Sequence, residues 1–209
     1  QGMSFQYCET GLGAYALELN SELTNSTITG SNLVGLDLYS HNAINVLITE
    51  VDFHNNTKAM EFQNLITLTS KCSNYILNGL GIKAYGVLNL SSTQTFNNQA
   101  GGDCTFKDNT TGIEISDGLY LDDGNNNFID IFGAPHDFIT GPIPGAYLNP
   151  SNDLEADDNY WDPTPASLSS AGLNYYNITT LISGVPTNIS LTGSMLANYN
   201  SLCYTIGGG

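Results

Sequence analysis

Hydrophobic and polar positions alternate with a period of two in five short segments that share one pattern: small, apolar, charged, apolar, polar. The segments are Ala16-Leu17-Glu18-Leu19-Asn20, Gly35-Leu36-Asp37-Leu38-Tyr39, Ala59-Met60-Glu61-Phe62-Gln63, Gly81-Ile82-Lys83-Ala84-Tyr85 and Gly112-Ile113-Glu114-Ile115-Ser116. Alternation of this kind predicts a half-buried strand with its apolar side inward. The first apolar positions, 17, 36, 60, 82 and 113, lie 19, 24, 22 and 31 residues apart. Further short runs fall between them, among them Val46-Leu47-Ile48, Val51-Asp52-Phe53, Ile66-Thr67-Leu68, Val87-Leu88-Asn89-Leu90 and Thr95-Phe96. Asn follows closely after Val51-Asp52-Phe53 (Asn55) and Thr95-Phe96 (Asn97), a residue that tolerates a left-handed corner.

A coil of about 22 residues with two or three short strands and no helical pattern predicts a parallel β-solenoid. A β-sandwich is the rival, since it too is built of short strands, but its strands recur every 8 to 12 residues or so. The predicted fold is therefore all-β, a right-handed single-stranded parallel β-helix with a C-terminal cap, the hand following from the rule for parallel crossovers. The last spacing exceeds the others by some nine residues, and the excess is placed at 100–109, as a loop beside the fifth strand. Asn55, Asn78 and Asn97 are expected to form internal corner ladders. After about Asp130 the repeat decays among prolines, and Tyr160-Trp161 is expected to cover the open end of the stack. The division that follows is a β-helix with its capping segment over 1–165 and a C-terminal extension or linker over 166–209. Alternation at Met3–Tyr7 and the Gly207-Gly208-Gly209 end point to a piece of something longer.

Composition narrows the partners. The 209 residues include four Lys and no Arg against 20 Asp plus Glu, a formal net charge of −16. That excludes the electrostatic footprint of a nucleic-acid binder and disfavours an anionic membrane surface. No segment approaches the ~18–20 apolar residues of a membrane span. Solubility rests on Asn, Ser and Thr, which together with four cysteines favours an extracellular setting. Cys72–Cys104 is the favoured pairing, pinning the inserted loop; Cys8–Cys203 would join opposite ends of the stack. The six Asn-x-Ser/Thr sequons are about what the composition yields by chance.

Stacking places equivalent positions in columns about 4.8 Å apart. The outward charged column is predicted as Glu18, Asp37, Glu61, Lys83 and Glu114, and the next as Asn20, Tyr39, Gln63, Tyr85 and Ser116. Tyr39 and Tyr85, with Gln63 between them, are the candidate ligand-binding residues, able to stack sugar rings. Asp37, Glu61 and Lys83 are the candidate catalytic set of a lyase or glycosidase, and a solubilising charged column is the plainer reading of the same residues. The chain lacks the basic residues that would neutralise uronate carboxylates. Calcium is the one cofactor considered, at Asp122 and Asp123, at Asp153 with Glu155, or at Asp157 and Asp158 with Asp162, where solvated acidic loops are the alternative.

The Asn-rich coils, the Asn125–Asp130 run and the Ala156-Asp157-Asp158-Asn159-Tyr160-Trp161 ending resemble right-handed β-helix repeat proteins, above all secreted and cell-surface proteins of Bacteroidota, many exported by the type IX system. The resemblance covers residues 14 to 165. The reading it supports is a secreted or cell-surface module acting as a rigid adhesion or display element that contacts glycans or another surface ligand. A polysaccharide-active enzyme, and a cargo or passenger segment of a larger chain, are the alternatives.

Overall fold

A computed structural model describes residues 3–15, 20–115, 118–129, 136–140, 154–155, 158–162, 175–177, 182–183 and 188–190. The chain climbs through parallel coils, each passing over three faces. The first coil begins with β1 (Ser4–Gln6) and β2 (Thr10–Tyr15), and β3 (Ser21–Thr29), β4 (Val34–Tyr39), β5 (Ile44–His54) and β6 (Lys58–Phe62) continue it. Then come β7 (Ile66–Lys71), β8 (Asn74–Ile76), β9 (Leu80–Ala84) and β10 (Val87–Asn89). A short pair, β11 (Thr95–Phe96) and β12 (Gln99–Ala100), precedes β13 (Thr105–Lys107), β14 (Thr111–Ile115), β15 (Leu119–Tyr120), β16 (Asn127–Ile129) and β17 (His136–Thr140). The first face stacks β2, β4, β6, β9, β14, β17 and Ile182–Ser183. The second stacks the first halves of β3 and β5 with β7, β10 and β15. The third stacks β1, the second halves of β3 and β5, β8, β13, β16 and Tyr160–Asp162. These pairings are parallel, so the solenoid stands and the sandwich is excluded.

Two columns of left-handed residues turn the corners. Asn25, Glu50, Cys72, Asp103, Asn125 and Asp158 lie between the second and third faces, with φ from 47 to 56°. Tyr7, Gly30, Asn55, Leu77 and Asp108 lie between the third and first, with φ from 55 to 71°. Behind each corner runs a ladder of buried side chains. Asn56, Asn78 and Asn109 stack directly: Asn78 Oδ1 accepts from Asn56 N and Nδ2, both at 3.0 Å, while Asn78 Nδ2 donates to Phe53 O (3.2 Å) and to Asn109 Oδ1 (3.0 Å). Asn126 and Asn159 repeat the arrangement behind the other corner. Each rung satisfies backbone groups that the turn removes from the sheet. Asn78 is a rung as expected, but Asn55 and Asn97 are not. Asn55 makes the left-handed turn and Asn56, one residue on, carries the ladder, while Asn97 sits at an exposed hairpin tip.

The interior is a column of apolar side chains, including a stack of parallel rings: Phe53, Tyr75, Phe106 and Phe128, with centroids 5.0, 4.6 and 5.2 Å apart. Trp161 is in register with Phe128, so its strand adds a rung to the third face where the sequence reading ended the ladder. Parallel pairing likewise persists after Asp130, in β17 with Ile182–Ser183.

Two further expectations are corrected. The first strand of the first face is Thr10–Tyr15, with Leu12 beside Leu36 and Tyr15 beside Tyr39. Glu18 lies outside the described residues, and the rung that it and Asn20 were to fill is held by Gly13 and Tyr15. Successive inward positions Leu12, Leu36, Met60, Ile82 and Ile113 are thus 24, 24, 22 and 31 apart. The charged residue expected in the motif is a glycine here, which hid the strand. The motif's small position survives, because adjacent coils approach closely there: a Cβ at Gly11 would lie 2.5 Å from Gly35 O, and one at Gly81 2.4 Å from Gly112 O. The insertion, placed at 100–109, is instead the antiparallel hairpin β11–β12 within Ser91–Ala100. Residues 101–109 are ordinary coil, with β13 paired on both sides. Asn97 and Asn98, at φ 52 and 61°, supply the two left-handed residues of a type I′ turn.

Candidate functional site

On the first face, Asp37, Glu61, Lys83 and Glu114 form the outward column the sequence predicts, each in register with the next. Beside it runs a row led by Tyr15 and Tyr39, whose rings lie 6.4 Å apart. The sequence reading missed Tyr15 because it assigned that rung to Asn20. Gln63 and Tyr85 continue the row, their backbone N–H groups bonding back to Leu38 O and Phe62 O. Tyr39 and Tyr85 are two coils, hence about 9.6 Å, apart at ~4.8 Å per coil. Tyr39 is braced by His41, which meets its ring edge-on at 4.8 Å and shares a 3.2 Å hydrogen bond between Oη and Nδ1. Ser116 lies outside the described residues.

Each charge on this column has a partner nearby, though only Lys83 and Glu114 pair with each other. Tyr15 Oη donates to Asp37 Oδ2 at 3.2 Å, and the Asp37 charge, then this hydrogen bond, raises the phenol's pKa. Lys58 pairs with Glu61, and Lys83 Nζ with Glu114 Oε1 at 3.4 Å. Lys83 also lies 5.3 Å from the centroid of the Tyr85 ring. Its pKa is raised, chiefly by hydrogen bonding to Tyr85; burial is the next effect and opposes it, and the Glu114 charge adds a smaller raising one. A lyase base needs a neutral amine near neutral pH, and this environment works in the opposite direction. The column's contacts are local: Asp37 holds Tyr15 and Lys83 lies over Tyr85, while Tyr39 is held by His41.

Asp122 and Asp123 stand in the turn after β15, Asp123 with φ 51°. Asp158 forms a corner, its carbonyl accepting from Asn125 N at 2.9 Å. Asp157 and Asp153 lie outside the described residues. Among the described residues, no three His, Cys, Asp or Glu side chains come together as a metal site. The Cys72–Cys104 bridge is not made, and neither is Cys8–Cys203: Cys8 and Cys104 are free thiols. Cys72 occupies a left-handed corner, whereas Cys104, a position later in its own coil, points into the core. There Cys104 Sγ lies 3.4 Å from Ser70 Oγ, which also bonds Tyr75 Oη at 2.8 Å, and burial pushes the thiol's pKa up to about 11.

A cleft on the second face escaped the sequence reading altogether. The β11–β12 hairpin folds over the second face and leaves a cleft of about 120 Å³ beside β3 and β5. Asn45, Leu47 and Thr69 contribute its floor, Phe96, Asn97 and Gln99 the hairpin wall, and Asn20 and Glu22 the opposite side. The hairpin is tied down on its other side: Asn89 Nδ2 donates to Gln94 O (2.9 Å), Ser92 Oγ to Asp123 O (2.5 Å), and Phe96 meets Tyr120 at 5.5 Å. Only the excess length of one coil announces this feature in the sequence, without revealing where it folds.

Comparison with protein-family models, curated proteins and solved structures finds no match. The assignment of fold therefore rests on the coils themselves.

Proposed function

We propose that this chain is a rigid display or adhesion module of a secreted or cell-surface protein that contacts glycans through the Tyr15, Tyr39, Gln63 and Tyr85 row. The observation that carries the reading is the placement of these residues on successive coils along one edge of the first face, Tyr15 in register with Tyr39 and Gln63 and Tyr85 each bonded back to the preceding coil, beside a column of partnered charges. Aromatic faces interspersed with an amide suit the apolar C–H faces and hydroxyls of sugars. A stack of parallel coils repeats them at fixed spacing on a stiff scaffold, as an extended ligand requires. Location outside the cell rests on composition, and origin in Bacteroidota with type IX export rests on the sequence likeness alone.

The test is a glycan array read with and without calcium, with mass spectrometry of the probed glycans. Binding without cleavage that falls at least tenfold in Tyr39→Ala and in Tyr85→Ala is the expected result. Cleavage that disappears in Lys83→Ala or Glu61→Gln would replace adhesion with catalysis. Binding untouched by the tyrosine variants would sink the role given to this face. No binding at all would leave the passenger reading.

A further inference from the structure

We propose that the cleft between the β11–β12 hairpin and the second face is a separate binding site for one neutral sugar unit, independent of the tyrosine row. The hairpin is superfluous to the solenoid. The coils on either side pair without it, and Gly101 N donates to Ser91 O at 2.8 Å, so the ends of the insertion already meet. An insertion that a fold does not need, held rigidly against one face, is where binding residues accumulate. Its anchors lie on the Tyr120 and Asp123 side, while Asn97 and Gln99 are left to line the cleft.

The lining identifies the ligand class. Asn20, Asn45, Asn97 and Gln99 each offer both amide donors and a carbonyl acceptor, the combination that matches hydroxyl groups, which donate and accept in turn. Phe96 supplies an aromatic surface for an apolar ring face. Glu22 adds a carboxylate acceptor, the only charge among the described lining residues. The chain's four Lys, at 58, 71, 83 and 107, all lie elsewhere, so phosphate, sulfate and carboxylate ligands find no counter-charge and meet a carboxylate instead. At about 120 Å³ the cleft is smaller than the ~300–1,000 Å³ typical of small-molecule pockets, which limits it to a single sugar unit.

Saturation-transfer NMR with methyl glycosides of glucose, galactose, mannose and N-acetylglucosamine tests this, with glucuronate and sialic acid as charged controls. The expected result is millimolar binding of at least one neutral glycoside and none of the acids. Affinity should drop at least tenfold in Asn45→Ala and in Phe96→Ala, each checked for an unchanged circular dichroism spectrum, and persist in the Tyr39→Ala/Tyr85→Ala double variant. Because Phe96→Ala loosens the hairpin if the ring anchors it, Gln99→Ala, which leaves the Asn97-Asn98 turn intact, serves as the second hairpin variant and should also weaken binding. The proposal is overturned by the absence of neutral-glycoside binding, by preference for the acids, or by binding that survives the cleft variants or disappears with the tyrosines.

Discussion

Asn78 shows how much of this fold hangs on single buried amides. It accepts two hydrogen bonds from Asn56 and donates one to a main-chain carbonyl and one to Asn109. Asn78→Ala orphans the buried Asn56 N–H and Phe53 carbonyl, and at about 1–3 kcal/mol for each unsatisfied group the loss should reach roughly 3 kcal/mol in urea unfolding. Asn55→Gly, one residue before a ladder position but on the solvent side of its corner, should change stability by well under ~1 kcal/mol. The ladder also has an incomplete rung. Ser31 gives its N–H to Asn56 Oδ1, yet its own buried Oγ has no partner. Ser31→Asn would extend the ladder towards Cys8 and should raise Tm by about 2–4 °C for ~1 kcal/mol gained; a lower Tm would mean the neighbouring coil cannot admit the amide. These rungs were only partly legible, because Asn55 and Asn56 are chemically alike in sequence. Which of the two turns the corner and which points inward is decided by register against the next coil.

At the level of elements, the hairpin is a detachable part. Its ends already share the hydrogen bond that closes a β-turn, so replacing Ser92–Ala100 with Asn-Gly leaves Gly101 as the fourth residue of such a turn. The shortened protein should keep its β spectrum and a cooperative transition, and should lose neutral-glycoside binding. Loss of the fold would show that the hairpin holds the second face together. The first-face strands were readable because outward charges and inward aliphatics alternate in Asp37, Glu61, Lys83 and Glu114. The hairpin misled because Thr95-Phe96 alternates like any other strand here. Nothing local distinguishes a strand that joins the parallel ladder from one that pairs with its immediate neighbour.

For the whole molecule, charge and burial make testable differences. Asp103 sits at a corner where burial raises its pKa, opposed in part by Lys71. A carboxyl whose folded pKa lies above its unfolded value binds its proton more tightly when folded, so stability falls as pH rises through that range. Asp103→Asn, which keeps the left-handed conformation accessible, should therefore be more stable than wild type at neutral pH, with the gap closing on acidification below the ordinary carboxylate range. Thiol chemistry should split the same way. Cys8 is partly accessible and Cys104 is buried with its pKa raised to about 11, so Ellman's reagent should modify Cys8 in the native state and Cys104 only on unfolding. Rapid native labelling of Cys104 would require the core to open beside Ser70.

The sequence by itself determined that this is a solenoid of short parallel strands, because one alternating motif returns at the length of a coil, and it determined the charged column of the first face. It also set the chain's strongly acidic, Arg-free surface. Only the tertiary structure decided the register of the first coil, the identity of the ladder amides, the free state of Cys8 and Cys104 and the site of the insertion. Each of those depends on which residues face one another between coils 22 to 31 residues apart. Periodicity reports that coils repeat, whereas contacts across them are fixed by backbone approach and side-chain fit in three dimensions.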